Sequence, residues 1–77
     1  MIPLLSSEAL ADEIIDLANR GAIPNPFRVA DVRPYVKRFS ENHITTVLAN
    51  YEKNGDQVKR GRRARFLRIS RGLYRPL

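Results

Sequence analysis

The side chains best suited to specific hydrogen bonding lie in one short segment, residues 40–51. Apolar residues recur in it at positions i, i+3, i+4 and i+7, which predicts a helix with one buried stripe. The members of this stripe are Ile44, Val47, Leu48 and Tyr51. The opposite face is small, polar and almost uncharged, although a solvated helix face normally carries Glu and Lys. Such a face suits a helix that lies close against another surface.

The polar residues on or beside this outer face are candidates for contacts with DNA bases. They are Asn42, His43, Thr45, Thr46 and Asn50. An asparagine amide offers the donor and acceptor that match adenine, and a threonine methyl group fits against the methyl of thymine. His43 has no plausible metal-ligand partners, so a surface or phosphate-contacting role is expected. Ser40 is expected to cap the helix, and Glu41 to interact with its macrodipole or with cytosine.

Positive charge is concentrated at the C-terminal end. The net charge is −3 over residues 1–20, +1 over residues 21–52 and +8 over residues 53–77, which makes the total +6. Such a basic end attracts polyanions, and arginine suits bidentate phosphate pairing or a narrow minor groove. The candidates for contacts with the DNA backbone or minor groove are Arg33, Lys37, Arg38, Ser40, Lys53, Lys59, Arg60, Arg62, Arg63, Arg65, Arg68 and Arg71.

A first helix is predicted over about residues 7–20, ahead of this segment. Ser6 or Ser7 is expected to cap it, and Gly21 to end it as a C-cap glycine. Its predicted inward residues, at helical spacing, are Leu10, Ile14, Leu17 and Ala18. Its acidic residues are expected to form a plain solvated surface on the side away from any DNA.

A second helix is predicted over about residues 31–38, with Val29 as an alternative start, after a proline-containing connector and a very short strand at residues 27–29. Asp31 is expected to be its N-cap, with Pro34 in the first turn, where no hydrogen-bond donor is lost. The predicted inward face consists of Val32, Tyr35, Val36 and Phe39. Because few residues separate this helix from the third one (about residues 41–53), the two should form a tight helix–turn–helix.

The remaining residues predict a basic mobile loop and a hairpin. Asn54 and Gly55 signal a turn, residues 57–64 the loop, and residues 65–75 two strands joined at Gly72. Phe66 and Tyr74 are expected to pack in the core, with stacking on single-stranded nucleic acid as an alternative. The predicted fold is α+β, mostly α: one winged helix–turn–helix domain over residues 1–77.

The ending at residues 65–75 resembles a known family. An aromatic strand followed by Arg-Gly-Leu-Tyr-Arg, together with the segment 27–32, resembles small winged-helix domains found alone or beside bacterial restriction-type nucleases, and more loosely HARE-type helix–turn–helix modules. The resemblance covers most of residues 27–75. It implies that the third helix binds duplex DNA, with the basic hairpin beside it, and it implies no particular target sequence.

Several functional classes are disfavoured by what the sequence lacks. Without cysteine there is no disulfide or thiolate metal site, and no nucleophile–base pair or glycine-rich phosphate loop is present, so neither an enzyme nor a cofactor is expected. The apolar runs are too short to span a bilayer or to form a signal peptide, so a cytoplasmic or nucleoid-associated protein is expected. A monomer is expected. The only spare apolar residues for a dimer are Met1, Ile2, Leu4 and Leu5.

The sequence therefore predicts binding to double-stranded DNA, as a transcription regulator or a DNA-targeting module. Two alternatives use the same basic surface. One is an RNA-binding module, and the other is a protein-interaction winged helix that meets an acidic partner.

Overall fold

The computed structural model describes the backbone of residues 6–77 and the side chains of residues 8–77. Over this range the chain is α+β and mostly helical, with a single antiparallel hairpin at its C-terminal end. The proposed capping by Ser6 or Ser7 and the apolar residues Met1, Ile2, Leu4 and Leu5 lie outside the described side chains. None of the helices in the described range is long and apolar enough to cross a membrane.

Helix α1 (Ser6–Asn19) packs its apolar stripe into the core, as the spacing predicts. Leu10, Ile14, Leu17 and Ala18 are buried. Gly21 ends the helix with a positive φ of 74°, which glycine adopts without steric cost. The N–H of Gly21 donates to the Ala18 carbonyl at 3.2 Å, and the N–H of Ala22 donates to the Leu17 carbonyl at 2.9 Å. These two hydrogen bonds together form a Schellman cap, so the predicted C-cap glycine is confirmed.

The second helical segment begins at Val29, the alternative start given by the sequence, and is shorter than predicted. Helix α2 spans Val29–Val32, and a 3-10 turn, Arg33–Tyr35, follows it. Asp31 is not the N-cap. Instead it lies within the first turn, where its carboxylate accepts the N–H of Arg28, the true N-cap, at 2.9 Å. Pro34 lacks the N–H that would continue the α-helical ladder, and Val36 already leaves helical geometry with φ −127° and ψ 53°.

The inward face of this segment differs from the prediction at one residue. Val32 and Val36 are buried and Phe39 packs against the core, but Tyr35 is 54% exposed. A phenolic hydroxyl is costly to bury without a hydrogen-bond partner. The Tyr35 hydroxyl instead donates to the Ala22 carbonyl at 3.1 Å.

Helix α3 (Glu41–Tyr51) has the predicted cap and the predicted buried stripe. The Ser40 Oγ accepts the N–H of His43 at 3.1 Å, and Ile44, Val47, Leu48 and Tyr51 are all buried. The helix ends two residues earlier than predicted. Glu52 turns to extended backbone and forms a parallel bridge with Phe66.

The predicted basic loop contains a short helix, α4 (Asp56–Lys59), that the sequence analysis missed. Strands β1 (Phe66–Ser70) and β2 (Leu73–Pro76) then form the hairpin. Gly72 lies in its turn with φ 75°, as predicted. The register shifts between Arg68 and Ser70, which leaves Ile69 as the extra residue of a β-bulge.

The hairpin is anchored on both sides by isolated bridges. Phe27 pairs with Tyr74, so the very short strand predicted at residues 27–29 is reduced to this one bridge residue, because Val29 already begins α2. On the other side Glu52 pairs with Phe66. Phe66 and Tyr74 are buried, and the Phe66 ring meets Phe27 edge-on at 6.0 Å. Their core role is therefore confirmed, and stacking on single-stranded nucleic acid is excluded because the rings are not accessible.

Gly55 allows the turn after α3 to pass close to the end of that helix. A Cβ at this position would lie closer than 3.0 Å to the carbonyl oxygens of Ala49 and Asn50. Because these are backbone atoms, Gly55→Ala is expected to lower the free energy of unfolding by about 1–3 kcal/mol, measured by urea denaturation. The exposed neighbour provides the control, since Asn54→Ala should stay within about 0.5 kcal/mol of the parent. Equal stability of both variants would contradict the close approach.

Candidate nucleic-acid interface

The outer face of α3 carries a shallow groove with a volume of about 390 Å³. Its lining residues are Asn42, His43, Thr46, Val47 and Asn50. Four of the five candidate base-contacting residues therefore share one concave surface. The amides of Asn42 and Asn50 and the hydroxyl of Thr46 give this groove hydrogen-bonding groups of both kinds, without a formal charge.

Thr45, the fifth candidate, does not line the groove. It is exposed, but its Oγ1 donates to the Glu41 carbonyl one turn earlier at 2.9 Å. The hydroxyl hydrogen of Thr45 is thus bonded within the helix, a common arrangement for threonine in helices. Thr45 keeps its methyl group and its acceptor lone pairs for any external contact.

His43 is positioned by a row of stacked side chains. Its ring lies 5.0 Å from the Phe39 ring at an interplanar angle of 53°, and the Arg38 guanidinium carbon lies 4.7 Å from the Phe39 ring centroid. The imidazole is half-buried and forms one wall of the α3 groove. This packing makes His43 a fixed edge of the groove.

A second surface lies beside the start of α3. It is a groove of about 440 Å³ lined by Ala30, Arg33, Pro34, Lys37 and Glu41. Arg33 Nη1 lies 3.1 Å from Glu41 Oε2, so this ion pair joins the 3-10 turn to the first turn of α3. The Glu41 carboxylate is therefore paired with Arg33. Lys37, which also lines this groove, has no acidic partner among the described residues.

Three candidate backbone-contacting arginines pair with helix α1 instead. Arg62 Nη1 lies 3.1 Å from Glu8, and Arg65 and Arg38 form ion pairs with Asp12 and Glu13 respectively. The interpretation of the acids on α1 as a plain solvated surface is therefore wrong for these three. The hydrogen bond with Glu13 also raises the pKa of Arg38 above its ordinary value.

The other basic candidates have no ion-pair partner within residues 8–77. They are Lys37, Lys53, Lys59, Arg60, Arg63, Arg68 and Arg71, all exposed. Ser40 differs from them, because its side chain caps α3.

Arg28 belongs with these exposed cations, although the sequence analysis did not select it. It is exposed, and its Nη1 would lie 3.8 Å from a Cβ placed on Gly72. The start of α2 and the hairpin turn are therefore neighbours, which places Arg28 beside the basic hairpin. No local pattern reveals this, because the two positions are far apart in the sequence.

No protein-family model, curated protein or solved structure matches the chain. The resemblance to small winged-helix domains thus rests on the motifs within residues 27–75. The geometry and charge of the α3 groove and of the exposed basic residues are therefore the features that bear on function.

Proposed function

We propose that the chain is a winged helix–turn–helix domain that binds double-stranded DNA, with α3 in the major groove. The element order supports this proposal: helix α1, the bridge residue Phe27, α2 with its 3-10 turn, α3, the short helix α4 and a hairpin follow one another. Phe27 pairs with β2, so the extended segment lies on the opposite side of β2 from β1. In a helix–turn–helix the second helix of the pair reads the major groove, and here that helix is α3.

The groove on α3 is the observation that carries the proposal. The domain has 14 basic and 8 acidic residues, yet the lining of this groove holds asparagine, threonine, valine and histidine only. A carboxylate there would repel phosphates. The paired donors and acceptors of Asn42 and Asn50 match the edge of adenine in the major groove.

The exposed cations supply the affinity in this proposal. Nine basic residues have no ion pair within the described residues: the seven candidates named above, Arg28, and Arg75 on β2. Each phosphate that such a residue neutralises releases counterions, which gives affinity independent of sequence and makes binding fall steeply with salt.

A titration of labelled duplex DNA at two salt concentrations tests the proposal. Four phosphate contacts would weaken binding about 100-fold between about 50 and 200 mM salt. Fluorescence anisotropy measures this directly, with unlabelled duplex RNA and single strands as competitors. Failure to bind at low salt would refute the proposal, and stronger competition by RNA would favour the RNA-binding alternative. If the chain binds no DNA but captures an acidic protein, and this capture persists after nuclease treatment, the protein-interaction alternative would be favoured.

Two adjacent arginines should contribute unequally to this binding. Arg62 is held by Glu8, whereas Arg63 has no acidic partner among the described residues. Arg63→Ala should therefore weaken binding to every duplex and reduce the salt slope by about 1. Arg62→Ala, its matched control, should change the slope by less than half as much. Equal effects of the two substitutions would show that the pairing with Glu8 does not persist in the complex.

A further inference from the structure

Ile69 is an apolar side chain left outside the core at the end of the hairpin. It is 47% exposed, whereas Phe66 on the same strand is fully buried. The bulge between Arg68 and Ser70 inserts Ile69 as an extra residue, and bulges commonly redirect a side chain. About half of this β-branched apolar side chain therefore remains in contact with water.

The residues around Ile69 are cationic. Arg68 precedes it, and Arg71 follows in the turn. Both are exposed and have no ion pair within residues 8–77. Arg28 adds a third guanidinium beside Gly72. The one acid placed next to this group by the described contacts, Asp31, has its carboxylate on the N–H of Arg28. An exposed apolar side chain between two arginines in the sequence, with a third beside the hairpin turn, matches a polyanion that also offers an apolar surface.

We propose that Ile69 is a wedge that enters between two adjacent base pairs when the hairpin meets duplex DNA. This inference rests on the proposed function. Base faces are the apolar surface of the duplex, and the flanking arginines would neutralise phosphates on either side of the opened step. Proteins that insert isoleucine or leucine in this way unstack the step and kink the duplex by roughly 20–90°.

The wedge predicts a property of the DNA as well as of the protein. Pyrimidine–purine steps such as TA and CA are the easiest to unstack. A bound duplex should therefore be bent at a pyrimidine–purine step where the hairpin contacts it. Duplexes that have such a step at this position should bind more tightly than those that lack it. This preference would need no hydrogen bond from Ile69 to any base.

Fluorescence energy transfer between the two ends of a short duplex measures the bend in the complex of the full chain. The parent protein should shorten the end-to-end distance, and Ile69→Ala should lose at least about half of the bend angle. Ile69→Leu should keep the bend, because it keeps an apolar wedge. Leu77→Ala is the matched control, since Leu77 is 63% exposed but its N–H bonds to Arg65 at the far end of the hairpin.

The outcomes separate this inference from the proposed function. Binding of duplex DNA without a bend, or with the same bend in the parent and in Ile69→Ala, would overturn the wedge and leave the proposed function standing. Absence of duplex binding by the parent would overturn both. A bend that is lost in Ile69→Ala and kept in Ile69→Leu and Leu77→Ala would support the wedge.

Discussion

Phe66→Ala is expected to lower the free energy of unfolding by about 3–5 kcal/mol, the range for deleting a buried aromatic ring. Phe66 is fully buried and packs edge-on against Phe27. Its carbonyl also accepts the N–H of Lys53 at 2.9 Å, so it lies where the hairpin joins the end of α3. At about 0.05–0.15 kcal/mol per residue, a domain of this length has only roughly 4–12 kcal/mol in total. The variant should therefore lose at least about a quarter of the stability of the domain.

Circular dichroism during urea and thermal denaturation measures this loss. Leu77→Ala provides the control, because it removes an apolar side chain that is 63% exposed and should change stability by less than about 0.5 kcal/mol. A loss below about 1 kcal/mol for Phe66→Ala would mean that the ring is not part of the core, since cavities of this size cost more.

The double substitution Asn42→Ala/Thr46→Ala is expected to abolish most of the sequence preference of the domain. Both side chains line the α3 groove, and each good base contact discriminates by about 1–3 kcal/mol. The preferred duplex is obtained by selection from a random pool. The double variant should bind it at least about 30-fold more weakly than the parent does, at about 1 kcal/mol for each lost contact. Affinity for unrelated duplexes and the salt slope should stay the same, because no cation is removed.

Thr45→Val is the matched control for this experiment. It keeps a methyl group at the same place and removes a hydroxyl whose hydrogen is already bonded to the Glu41 carbonyl. Its sequence preference should stay close to that of the parent. If the double variant lost affinity equally for all duplexes, or if Thr45→Val had the larger effect, the groove on α3 would not be the base-reading surface.

Substitutions of the basic residues and substitutions in the α3 groove separate overall DNA affinity from sequence preference. The arginines and lysines outside the ion pairs act on any duplex, and their effect is screened by salt. The groove on α3 is lined by no Asp, Glu, Lys or Arg, and its effect depends on the bases that it meets. Measurements on preferred and unrelated duplexes at two salt concentrations distinguish these contributions for every substitution proposed here.

The long helices and the hairpin were predictable because their signals are local. The stripe of α3 recurs at helical spacing, Ser40 stands directly before the first turn, and Gly21 and Gly72 stand where a positive φ is needed. Each of these features depends on residues within one or two turns of the chain. Burial of both stripes then follows from the need of a small domain to form one core.

The second helical segment shows where local signals compete. Asp31 and Pro34 are both typical of a first helical turn, and they predicted a helix from residue 29 or 31 to about residue 38. In the structure the carboxylate of Asp31 instead reaches back to the N–H of Arg28, and Pro34 ends the α-helical geometry. Helix α4 was missed for another reason: four residues are too few to show periodicity.

The amino-acid sequence was sufficient to predict which side chains are basic and which face of α3 is polar, because composition and periodicity are properties of the chain itself. Only the tertiary structure decided which of the basic side chains stay available. Arg65 pairs with Asp12 across a separation of 53 residues, and the side chain of Arg62 reaches Glu8 whereas that of the adjacent Arg63 has no ion pair within residues 8–77. Such pairings depend on how α1 packs against the rest of the domain, and no spacing along the chain encodes that distance.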